Sequence, residues 1–144
     1  MVTESRPGRI WALVAAQAAR RGGRVSAADA CVAAVVAVQV SGAWLIAAGG
    51  AEADHLMWAT DEVSELLAEL QLTLGEGPGP DALAYGGPAL ASDLDDLEAV
   101  RRWPLFASAA GLPHCPALAD PAAARARGAF GRVRRDMTWA GSWV

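Results

Sequence analysis

The sequence predicts an α+β fold, an antiparallel sheet flanked by helices. Three observations lead there. Residues 63–74 repeat apolar side chains at helical spacing, and this helix runs directly into a crossover rich in glycine and proline. Residues 43–48 and 54–59 are apolar runs of strand length on either side of Gly49-Gly50, which reads as an antiparallel hairpin with a connection longer than a tight turn. Residues 89–93 supply a third short run, set off from the crossover by Gly87-Pro88.

Size and composition bound the rest. A chain of 144 residues suits one domain with a moderate core. All 12 basic residues are arginine, a bias of GC-rich coding rather than of function. A net charge of −4 argues against a nucleic-acid surface, which is normally basic, so no direct nucleic-acid binding is expected. Cys31 and Cys115 make no disulfide framework, and reduced thiols in a cytoplasmic protein are the default. The polar N-terminus is followed by no small-residue cleavage site, so no signal peptide is expected.

Residues 9–21 form the first helix, with Ile10, Leu13, Val14, Gln17 and Ala18 on one stripe and Gly22-Gly23 as its stop. Two readings of it stay open: pairing with its copy in a homodimer, and packing on its own domain. Ser26 and Asp29 have the Ser-x-x-Asp spacing of a capping box and start a second helix that runs to about Val40. Residues 30–48 carry no charge, a length that can span a bilayer. Gln39, Ser41 and Gly42 interrupt that run, much of it is alanine, and Ser41-Gly42 divides it into a helix and a strand. The chain is therefore expected to be a cytoplasmic protein that makes no membrane contact.

Thr60 is placed as the cap of the third helix, whose stripe is Val63, Leu66, Leu67, Leu70 and Leu74. Gly75, Gly77, Pro78, Gly79 and Pro80 cannot continue it. Gly75 follows the stripe directly, where a left-handed C-terminal cap is expected. Residues 80–86 read as one or two helical turns ended by glycine, and short helices follow at about 95–100 and 105–110. Beyond these, 113–144 is an Arg/Ala/Pro-rich tail without convincing strand alternation, expected to be disordered and to come from a truncated or frameshifted ending.

The residues Thr73-Leu74-Gly75-Glu76-Gly77-Pro78, followed by Asp81-Ala82, Gly87-Pro88, Ser92-Asp93-Leu94 and Arg102-Trp103-Pro104, make the chain resemble the GAF domain. The variant is the one found in actinobacterial regulators that often carry a C-terminal ANTAR RNA-binding domain; Ala59-Thr60-Asp61-Glu62 and Leu70-Gln71 match it too. The resemblance covers about the first three quarters of the chain. It implies a GAF-like sheet, incomplete at the C-terminus, and an organisation of an N-terminal helix (1–25), a GAF-like domain (26–112) and the atypical tail (113–144). Relatives often have Cys after Gly-Pro, where this chain has Gly79, which removes the obvious point of chromophore attachment.

No catalytic constellation stands out, and the chain is not expected to be an enzyme. His114-Cys115 lacks the partners of a zinc site. Asp93, Asp95, Asp96 and Glu98 do not have EF-hand spacing. The Gly75-x-Gly77-x-Gly79 run follows a helix and lacks a lysine, unlike a phosphate loop. Cys31 lies on an apolar helix face and reads as a buried structural thiol. A GAF relative that reduces methionine sulfoxide is a remote alternative, because its cysteines sit elsewhere.

What remains is a pocket. The resemblance implies that a ligand lies between the sheet and the crossover, lined by Trp44, Ile46, Leu56 and Trp58 from the strands and by Leu83, Tyr85 and Leu90 from the crossover and beyond. Apolar side chains at such positions are more often core. The cofactor is unknown. The function implied is a cytoplasmic sensory or regulatory domain that takes a small-molecule ligand; the alternatives are a dimerising interaction module that binds nothing small, or a degenerate regulator.

Overall fold

The computed structural model describes residues 6–47, 54–86, 89–91, 94–110, 128–130 and 142–143. Helices α1 (Arg6–Arg21) and α2 (Ala27–Val38) are followed by strands β1 (Gly42–Ala47) and β2 (His55–Ala59). Next come α3 (Glu62–Leu74), α4 (Pro78–Tyr85), β3 (Ala89–Ala91), α5 (Leu97–Arg102) and α6 (Pro104–Ala110). Two short strands, β4 (Gly128–Phe130) and β5 (Ser142–Trp143), end the order. The fold class is α+β, and every described strand pairing is antiparallel.

The sheet order is β2-β1-β5-β4-β3. The expectation of a sheet incomplete at its C-terminal end is corrected here. β5 pairs with β1 through Gly42↔Trp143 and Ala43↔Ser142, and β4 joins β5 to β3, so the late residues fill the middle of the sheet. The sequence hid this because two- and three-residue strands are too short to show a period of two. The remainder of the predicted tail lies outside the described residues, as do His114 and Cys115.

β1 is the axis of the packing, buried on both faces. Trp44 and Ile46 face α3, α4 and α6 in the larger core, with Leu67, Ala68, Ala82, Trp103 and Phe106. Ala43 and Leu45 face α2, with Cys31 and Ala34. α1 packs on α2 and buries Val14 and Ala18, one turn apart, whereas Ile10 and Leu13 of the expected stripe stay exposed. No helix among the described residues is long and apolar enough to cross a membrane.

The helix ends are fixed by polar contacts that tie elements together. Asp29 accepts from the Ser26 amide at 2.8 Å, the reciprocal half of the expected capping box, and also from Arg21 Nη2 at 2.8 Å and Nε at 3.1 Å. Arg21 further donates to the Arg24 carbonyl at 2.6 Å, so the α1–α2 turn is held by one guanidinium. Hydrogen bonds from Arg21 and Ser26 hold the Asp29 carboxyl well below the usual carboxylate range. A depressed folded value means that this stabilisation is complete above the unfolded value, about 3.9, and is lost as pH falls from there toward the folded value. Asp29→Asn should therefore melt below the wild type at pH 7, with the gap closing below about pH 4. A gap that stays constant down to pH 3 would contradict this account of the turn.

At α3 the cap is Asp61, not Thr60. Asp61 accepts from the Ser64 amide at 2.9 Å and the Ser64 hydroxyl at 2.8 Å. Thr60 instead faces β1, where its hydroxyl accepts from the Ala43 amide at 2.8 Å. The most buried line of α3 is Ser64, Leu67, Ala68 and Gln71, at i, i+3, i+4 and i+7. Two of those four are polar, so the apolar periodicity in the sequence is rotated off the true inner face.

Candidate functional site

The crossover from α3 to α4 is built around one buried amide. The Gln71 side chain is 1% exposed. Its Nε2 donates to the Leu67 carbonyl at 3.2 Å, and its Oε1 accepts from the Gly79 amide at 2.7 Å. The helix ends at Gly75, which adopts φ 67° and donates its amide to the Gln71 carbonyl at 2.9 Å, the left-handed cap expected from sequence. Gly77 follows at φ 129° and ψ 176°, and a Cβ there would lie 2.6 Å from Gln71 Cγ. The chain thus passes so close to the amide that only glycine fits. Pro78 then starts α4, where its missing N–H costs nothing.

The two acidic residues of the crossover are spoken for. Glu76 Oε2 accepts from the amides of Leu105 at 2.9 Å and Phe106 at 3.3 Å, capping α6 from 29 and 30 residues away. Asp81 Oδ2 accepts from Arg102 Nε at 2.7 Å and Trp103 Nε1 at 3.0 Å. The Arg102 guanidinium lies over the Trp103 ring, 4.9 Å from its centroid. The Gly-Glu-Gly-Pro…Asp run and the Arg-Trp-Pro run are therefore two halves of one clamp that fastens the crossover to α5 and α6.

The cap at Gly75 can be tested by substitution, but its neighbour Glu76 is no neutral reference. Glu76→Ala removes a cap and should itself cost about 1 kcal/mol. The exposed Thr73 is the neutral reference. No atom lies within 4 Å of a Cβ on Gly75, so Gly75→Val pays backbone strain alone. We expect it to destabilise by roughly 1–2 kcal/mol more than Thr73→Ala in denaturant melts. Equal midpoints would mean that the left-handed cap contributes nothing.

Beside the crossover is a cavity of about 310 Å³, lined by Ile46, Asp54, Gln71, Leu72, Gly75, Gly79, Pro80 and Leu83. β1 supplies Ile46, the last turn of α3 supplies Gln71 and Leu72, and the crossover with α4 supplies the opposite wall. Its volume is at the lower end of the range for small-molecule pockets. The walls are mostly aliphatic, with the Gln71 amide and the Asp54 carboxylate as its polar side-chain groups.

The predicted lining residues divide. Ile46 and Leu83 line the cavity. Trp44 is 2% exposed and packs in the larger core with Leu56 against that core's edge, so both support the wall without lining it. Trp58 is on the opposite face of the sheet, packed with Cys31, Ala34 and Leu45. A β-bulge causes this: Ile46 pairs with Leu56 and Leu45 with Trp58, which leaves Met57 as an extra residue and reverses the alternation. Tyr85 is 79% exposed near the end of α4 and makes no pocket wall. Leu90 pairs with Ala129 in the β3–β4 ladder, and its side chain lies outside the described residues.

Sequence reasoning missed Gln71, Leu72 and Pro80 as lining residues, and Glu76, Asp81 and Trp103 as the clamp. A glutamine at i+3 and i+4 from apolar residues, just ahead of a glycine run, was the available signal for Gln71. Elsewhere the described residues hold no group of three or more His, Cys, Asp or Glu placed to bind a metal. The Cys31 thiol is buried, which pushes its pKa up to about 12 and keeps it protonated and unreactive. The chain matches no protein-family model, and no curated protein or solved structure is significantly similar to it.

Proposed function

We propose that this chain is a GAF-like sensory or regulatory domain that binds a small molecule in the cavity between β1, the end of α3 and α4. The cavity of about 310 Å³ beside a glycine-shaped crossover carries this reading. It has the position that the resemblance implies for a ligand. Its mostly aliphatic lining, with Ile46, Leu72, Pro80 and Leu83, suits a small apolar molecule. The late strands returning to the sheet also agree with a GAF-like architecture.

The clamp suggests how occupancy would be relayed. A ligand that shifts Gly75–Pro80 moves Glu76 and Asp81, and these hold the start of α6 and the Arg102-Trp103 corner. The signal would then leave through α5 and α6. In this reading the domain works in the cytoplasm, without catalysis and without direct nucleic-acid contact.

Filling the cavity tests the reading. Leu83→Trp places an indole where the ligand would sit. A neutral probe such as cyclohexylmethanol should raise the melting temperature of the wild type and leave that of Leu83→Trp unchanged. Equal shifts in both proteins would place the binding elsewhere and refute the reading.

A second reading has its own observation. Ile10 is 56% exposed and Trp11 52% exposed on α1, an apolar surface a second copy could cover in a homodimer. A sedimentation experiment on wild type and Trp11→Ser decides: a dimer that Trp11→Ser dissociates supports pairing through α1, and a monomer in both excludes it.

A further inference from the structure

The two N-terminal helices make a hairpin that is closed at one end and open at the other. At the closed end, next to the turn, Val14 and Ala18 of α1 and Asp29 and Ala33 of α2 are buried. Arg21 pairs there with Asp29 at 2.8 Å. The short connection folds α2 back along α1, so the first half of α1 lies beside the last half of α2. In that half the same stripes stand in water. Ile10 lies one turn before Val14 on its own stripe, with Trp11 beside it, and both are more than half exposed. Val36 lies one turn beyond Ala33 and is 65% exposed. Leu13, also exposed, belongs to the same end. An apolar stripe buried over one half and exposed over the other is an uncompleted interface.

We infer that a second copy of this chain completes it, an assignment that rests on the reading of α1 as a pairing surface and adds α2 to that surface. Charge and area select this occupant. Residues 10–19 and 30–41 carry no charged side chain. A charged peptide finds no counter-charge on them, whereas two copies bring these stretches together without like-charge repulsion. The exposed parts of Ile10, Trp11, Leu13 and Val36, with the exposed alanines between them, offer on the order of 600 Å² per copy, the lower edge of a specific interface. A two-fold axis uses this one patch twice. Trp11 of each copy enters the open end of the other, against Ile10 and Val36, and four helices meet. An anionic membrane suits the face less well, because the chain carries a net charge of −4.

Sedimentation equilibrium on the full chain tests this with Val36→Arg on the face and Tyr85→Arg away from it. Both positions are exposed near a helix C-terminus, where a cation suits the dipole, so both variants should melt like the wild type at low concentration. Tyr85 belongs to α4, which packs on the opposite face of the sheet from α2. The wild type should dimerise with a dissociation constant in the micromolar range or tighter. Val36→Arg should weaken the dimer by about tenfold or more, because it puts a cation into an apolar interface. Val36→Ala, which adds no charge, should weaken it in the same direction, and Tyr85→Arg should leave it unchanged. If Trp11→Ser weakens the dimer and neither Val36 variant does, pairing runs through α1 alone: the four-helix interface is wrong and the α1 reading stands. If Tyr85→Arg weakens it as much as Val36→Arg, the copies meet elsewhere and the interface is wrong. A wild type that stays monomeric at submillimolar concentration overturns both. So does a monomer that instead sediments with phosphatidylglycerol vesicles, since lipid then covers the face.

Discussion

Gly77→Ala should lower the stability of this domain by about 3 kcal/mol, a large share of the 5–15 kcal/mol typical of a domain. Two costs add. The backbone at φ 129° and ψ 176° lies in a region open essentially to glycine alone. The new methyl would also stand 2.6 Å from Gln71 Cγ and 2.7 Å from Gln71 Oε1. Gln71 has no room to withdraw, since its amide is held by Leu67 and Gly79. Denaturant melts of Gly77→Ala beside Thr73→Ala give the difference directly. A loss below 1 kcal/mol would mean that the crossover relaxes easily and does not set the shape of the cavity.

Gln71→Ala is expected to cost a similar amount, about 3 kcal/mol, for a different reason. It removes the acceptor of the buried Gly79 amide and opens a void under Gly77, where the chain passes closest. Gln71→Leu separates the two contributions. It refills most of the volume but leaves the Gly79 N–H without its acceptor, so it should recover the packing part of the loss and not the hydrogen-bond part of about 1–3 kcal/mol. Full recovery by leucine would show that Gln71 acts only as a space-filler.

The double mutant carries a further consequence. Gln71→Ala removes the side-chain atoms that a methyl at position 77 meets, so the steric part of the Gly77→Ala penalty should vanish in its presence. The two losses should then fall short of additivity by 1 kcal/mol or more. Simple additivity would mean that residues 71 and 77 do not touch in solution.

The elements that could be read from the sequence are those announced by their breakers. Gly75, Gly86 and Gly22 end helices with positive φ, as their positions directly after the expected helices suggested. Three kinds of feature were not legible. The bulge at Met57 has no glycine or proline to mark it, yet it sends Leu56 and Trp58 to opposite faces of the sheet. The inner line of α3 contains Ser64 and Gln71, whose burial depends on hydrogen bonds to Asp61 and Gly79 that periodicity cannot foresee. β4 and β5 are too short to announce themselves, so the region around them read as a tail.

The candidate site followed the same division. Of the residues named from the sequence, Ile46 and Leu83 line the cavity, where strand alternation and the crossover place them. Tyr85 was named because the resemblance puts a ligand beside the crossover; it stands near the end of the two-turn α4, exposed to solvent. The roles of Glu76 and Asp81 depend on α5 and α6 approaching them from more than 20 residues away, which local sequence does not show.

The most direct test of the central claim, that the cavity beside the crossover takes a small molecule, is methyl NMR on protein labelled at isoleucine, leucine and valine. Cyclohexylmethanol is the titrant. The account predicts saturable shifts at Ile46, Leu72 and Leu83, with the Val14 and Val36 methyls of α1 and α2 unmoved. Shifts confined to α1 and α2, or none at Ile46, Leu72 and Leu83 at millimolar probe, would contradict it.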